Sequence, residues 1–199
     1  MKSRFRWAMS RDPSLLVIGR FVSMTGTGMA PICLAAAALR SSNFGAAGLA
    51  VAVGAFGIGQ FAFTLLGGIA ADRIGARAAM MCGDGIAFAA ELGIGILFAV
   101  GIARIVTVGG LSVLLGLGAA LSNPASMAVV RHVSSDDQLV VLNRRIRVAG
   151  VVARIIGAPL GGVVASIGSP SNGIIIDAAT FLCSASVGSS SLQPMPRSE

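Results

Sequence analysis

Tyrosine is absent, tryptophan and histidine occur once each, and only 12% of the 199 residues are charged. Each shortage excludes something. An ordinary soluble domain carries roughly 25% charged residues, and a chain of this length with 55% hydrophobic residues has too much apolar surface for one soluble core. The lone His132 stands without a Ser/His/Asp set, a metal-ligand spacing or a phosphate-cradling loop, so neither an enzyme activity nor a cofactor is expected. Cys33, Cys82 and Cys183 are odd in number, far apart and set within apolar runs, which argues against a disulfide framework or a metal site. The formal net charge of +7 does not indicate nucleic acid. The basic residues lie between hydrophobic runs instead of forming a patch with polar or aromatic company.

What is present is long apolar runs and 27 glycines that lie inside them. Judged against the roughly 20 apolar residues that cross a bilayer, six spans are expected, at 14–39, 44–71, 78–101, 105–130, 148–167 and 173–192. The fifth is preceded by an amphipathic lead-in from Leu139, and the sixth is the weakest because its last turn is serine-rich. Residues 1–12 read as a basic cytoplasmic tail, 13–192 as the helical bundle and 193–199 as a second cytoplasmic tail. The class is an all-α polytopic membrane protein, with the lipid bilayer as its first partner. Abundant small residues suit close helix packing in lipid.

Orientation follows from Lys and Arg. Lys2, Arg4, Arg6 and Arg11 fall on one side, with Arg73, Arg77, Arg131, Arg144, Arg145, Arg147 and Arg197. Only Arg40 and Arg104 fall on the other, so both termini are expected in the cytoplasm.

Between the second and third runs lies Gly68-Ile-Ala-Ala-Asp72-Arg73-Ile-Gly75-Ala-Arg77. Gly75 provides the permissive backbone for an immediate turn. Asp72 is expected just past one helix and Arg77 at the start of the next. This pattern resembles the loop motif of major facilitator superfamily transporters. Further stretches are similar to the same superfamily, in its enterobactin-exporter and macrolide-efflux branch: Gly19-Arg20-Phe21-Val22-Ser23 with Gly26 and Gly28-Met29-Ala30-Pro31, then Asn123-Pro124-Ala125-Ser126, Gly157-Ala158-Pro159-Leu160-Gly161-Gly162 and Asp177-Ala178-Ala179-Thr180.

The resemblance implies one six-helix half of that fold, built as two inverted triplets, exporting hydrophobic small molecules by alternating access. It implies that Asp72, Arg73 and Arg77 latch this half to a second one. The chain runs to Glu199 without such a half. A second copy, a separate chain carrying that half, or a transport-inactive remnant are therefore all open. Pro159 is expected to bend helix five, with Gly157, Gly161 and Gly162 allowing close helix contact.

Five ionisable residues lie inside spans: Arg20, Asp84, Glu91, Arg154 and Asp177. Such residues are costly in hydrocarbon and mark function or pairing. Asp84 and Glu91, seven apart and so on one helix face, are candidates for proton or substrate coupling. The alternative is that they pair with Arg20 or Arg154 to stabilise the bundle. Asp177 reads as a structural acid at a helix start. Two departures from the family's exporters weaken proton coupling: Ser112 stands where a helix-four arginine is usual, and Ala87 where an arginine follows the helix-three acid.

Overall fold

In a computed structural model, residues 13–133 and 136–190 are described; both tails, 1–12 and 193–199, lie outside them. The described residues are helical and contain no strand: α1 Pro13–Arg40, α2 Gly45–Ile74, α3 Ala76–Ala99, α4 Ile105–Val133, α5 Asp136–Ile167 and α6 Pro170–Ser190. Among the described residues, five stretches are long and apolar enough to cross a bilayer: Phe21–Arg40, Gly45–Leu65, Ala78–Ala99, Ile105–Asn123 and Arg147–Ile167.

Short connections fix an up-and-down order. The α1–α2 turn closes with Phe44 and Gly45 N–H groups on the Ser41 carbonyl. The α2–α3 connection is Gly75 alone, at φ 86° and ψ 144°. Asp72 and Arg73 therefore belong to the last turn of α2 instead of lying past its end, because no residue before Gly75 departs from helical geometry. α5 begins at Asp136, since the polar lead-in continues the same helix, and α6 begins at Pro170, a residue suited to a first turn. His132 lies within α4 and not in a loop.

Side-chain size sorts as it does in lipid. The buried set is rich in Ala37, Ala38, Ala52, Ala87, Ala90, Ala153 and Ala178, whereas Phe61 and Val106 are 87% and 86% exposed. Helices without a hydrophobic drive to associate approach through small residues and leave bulky ones to the lipid tails.

Extensive contacts join α1 to α5, α2 to α4, α3 to α4, α3 to α6 and α1 to α6. Exchanging α1 with α4, α2 with α5 and α3 with α6 leaves this pattern unchanged. The α1–α5 pair becomes α4–α2, the α1–α6 pair becomes α4–α3, and α3–α6 maps onto itself. Since the exchanged helices run in opposite directions, the bundle is an inverted repeat of two triplets.

Candidate functional site

The repeat places glycines at its two equivalent crossings. Gly28 of α1 and Gly157 of α5 face each other. A Cβ on Gly157 would collide with the Thr25 carbonyl and the Gly28 backbone, and one on Gly28 would lie 2.8 Å from the Arg154 backbone. At the α2–α4 crossing, Gly59 meets the Val113 backbone and Gly116 meets the backbones of Phe56 and Gln60 in the same manner. Gly161 continues the first seam, with a Cβ there 2.7 Å from the Met29 carbonyl. The Cys33 thiol also donates to the Gly161 carbonyl at 3.5 Å.

Gly162 is exposed, and a Cβ there meets nothing within 4 Å, so within this bundle it makes no close helix contact, since two adjacent residues cannot both point at α1. Pro159 lies within α5 beside this seam, and Pro31 lies within the facing α1.

The acids of α3 occupy two seams. Asp84 is buried and accepts a hydrogen bond from the Ser122 hydroxyl of α4 at 2.6 Å. Close by, Gly83 and Gly118 bring the α3 and α4 backbones together. Glu91, two turns on, is 4% exposed and turns to α6, where its carboxyl faces that of Asp177. Asp177 is 2% exposed and also accepts from the Thr180 hydroxyl at 3.1 Å. Gly26 of α1 closes the third side, since any Cβ there would collide with the Asp177 carboxylate.

This overturns two sequence expectations. Asp177 is a core residue in the third turn of α6 and not a helix-start acid, because α1 and α3 both cover it. Glu91 does not pair with Arg154. That guanidinium is exposed and donates to the Gly150 carbonyl of its own helix at 3.3 Å. The side chain of Arg20 lies outside the described residues.

Ser112 is buried, its hydroxyl donating to the Val108 carbonyl at 2.8 Å. Ala87 is buried against Gly118, so an arginine there would not fit between α3 and α4. Of the loop motif, Gly68 has open space beside it, Gly75 holds the left-handed turn and Arg73 is exposed. The side chains of Asp72 and Arg77 lie outside the described residues.

Sequence reading missed Ser122 and Thr180 as partners of the buried acids. Thr180 was within reach, because i to i+3 spacing places it beside Asp177 on a helix. Ser122 carried no signal, as its role depends on how α4 crosses α3. Among the described residues no group of three His, Cys, Asp or Glu side chains is arranged to hold a metal ion.

The family model of the Major Facilitator Superfamily matches residues 16–197, which takes in all six helices and both glycine seams. No individual curated protein gives a significant match. An inverted repeat of two three-helix units, long apolar helices with small residues turned inward, and a family match over almost the whole length agree with one another: the chain belongs to the Major Facilitator Superfamily of multi-pass membrane transporters.

Proposed function

We propose that this six-helix bundle is one working half of an alternating-access exporter of hydrophobic small molecules. It rocks against a second six-helix unit. The observation that carries the reading is the inverted repeat in a chain that the family model matches over residues 16–197. In transporters built this way, substrate sites form at the repeat interface near the bilayer midplane.

Both termini lie in the cytoplasm of a plasma-membrane protein on this reading, because the basic residues crowd onto that side. The latch residues are Asp72, Arg73 and Arg77. The burial of Glu91 against Asp177 supports a coupling role for that pair, since intramembrane carboxyls are the usual proton relays of transporters.

The test is accumulation of a panel of lipophilic fluorescent cations and neutral dyes in cells producing the protein. Wild type lowers accumulation of at least one compound, and Asp72→Ala and Glu91→Gln each restore it. Unchanged accumulation of every compound with wild type, or no effect of either substitution, rejects the reading.

A second reading, a membrane interaction unit without active transport, is favoured by Ser112 and Ala87. Both occupy buried positions where exporters of the family usually carry arginine. It predicts that no compound responds, even when the protein is abundant in the membrane.

A further inference from the structure

At the end of the bundle opposite Gly75, the three connections after α1, α3 and α5 line a half-open hollow of about 390 Å³. That falls within the roughly 300–1,000 Å³ of small-molecule sites. Arg40 is the one formal charge among its lining residues, none of which is acidic, and it has no ion-pair partner among the described residues. Ser41, Ser42 and Asn43 on one side and Ser169 and Ser171 on the other add hydroxyl and amide donors. Ser171 lies fully buried at the back, its hydroxyl 2.6 Å from that of Ser169. The first turn of α6 opens at Pro170 and presents its partial positive charge to the same space.

The cavity is also braced. Phe98 lines it and stacks edge-to-face on the buried Phe44, with ring centroids 5.1 Å apart, which ties the α1–α2 connection to α3. Outside it lie Leu39, next to Arg40, and Val100 and Ile102, on either side of the lining Gly101; all three are exposed. A cationic, donor-rich hollow beside bare aliphatic side chains suits a molecule that is anionic at one end and aliphatic at the other. Arginine is the side chain best shaped for phosphate oxygens, which it can hold through two parallel N–H groups.

We propose that this cavity binds the phosphate headgroup of a membrane phospholipid, with Arg40 on the phosphate oxygens and Leu39, Val100 and Ile102 along the acyl chains. The site is separate from the helix seams and does not depend on transport.

The test is native mass spectrometry of the full chain in detergent, titrated with phosphatidylglycerol. Wild type retains a bound lipid, Arg40→Gln weakens retention about tenfold, the loss expected for one charge-assisted contact, and Arg104→Gln leaves it unchanged. Arg104 is the control because it lies at the same end but does not line the cavity. Ser42→Trp, which fills the mouth while keeping Arg40, lowers retention as well and guards against a folding defect in Arg40→Gln. Equal retention by wild type and Arg40→Gln overturns the proposal, as does equal loss in Arg40→Gln and Arg104→Gln. Displacement of the lipid by millimolar inorganic phosphate assigns the site to a soluble anion and overturns the lipid assignment.

Discussion

Glu91 of α3 and Asp177 of α6 face each other carboxyl to carboxyl inside the bundle, 4% and 2% exposed. Two acidic groups this close and this buried form an arrangement that ordinary bundle packing does not require. The pair is enclosed by Thr180 on its own helix and by the bare backbone of Gly26 on α1. Three helices from both halves of the repeat therefore meet at this pair of acids.

An amide at position 91 keeps a donor for Asp177. Glu91→Gln is expected to unfold within about 1 kcal/mol of wild type, in line with the modest worth of side-chain hydrogen bonds between membrane helices. Glu91→Leu removes the partner and is expected to cost about 1–3 kcal/mol. Unfolding in mixed detergent micelles measures both. Equal stability of the two variants would show that the bond holds nothing together.

The two glycine seams give a sharper contrast. Gly157→Val sets a branched side chain against the Thr25 carbonyl and the Gly28 backbone, neither of which can move without displacing α1. A loss of about 1–3 kcal/mol or more is expected from such overpacking. Gly59→Val at the equivalent α2–α4 crossing is expected to behave alike. Gly162→Ala, five residues from Gly157 and facing open space, is expected to be neutral. Thermal unfolding of the three variants side by side decides the matter.

Gly75 holds φ 86° and ψ 144°. Residues with a Cβ pay about 1–3 kcal/mol in such regions. Gly75→Ala is therefore expected to destabilise by that amount although no neighbour touches it, whereas Gly68→Ala, helical and uncrowded, is not. The same unfolding measurement applies. Equal effects at both positions would mean that the turn re-forms with another backbone.

The helices and their order were legible in the sequence because apolar runs of membrane length are bounded by Gly, Pro and charge. The ends were less so. Asp72 and Arg73 read as loop because they are charged, yet helical geometry persists until a residue breaks it, and that residue is Gly75. The seam at Gly157 and Gly161 was visible as a small-residue pattern, but the open face of Gly162 was not, since composition does not say which side of a helix meets a neighbour. The partner of Glu91 was hidden for the same reason. From the sequence an arginine is the natural mate for a buried acid, and only the crossing of α3 over α6 brings Asp177 to it.

The account rests most heavily on the bundle working against a second six-helix unit. The direct measurement is native mass spectrometry of the protein extracted from its own membrane into lipid nanodiscs. The account predicts a particle holding two six-helix units, whether the second lies on the same chain, on another copy or on a different chain. A particle holding one six-helix unit alone would contradict it, because the proposed rocking needs a second unit to move against.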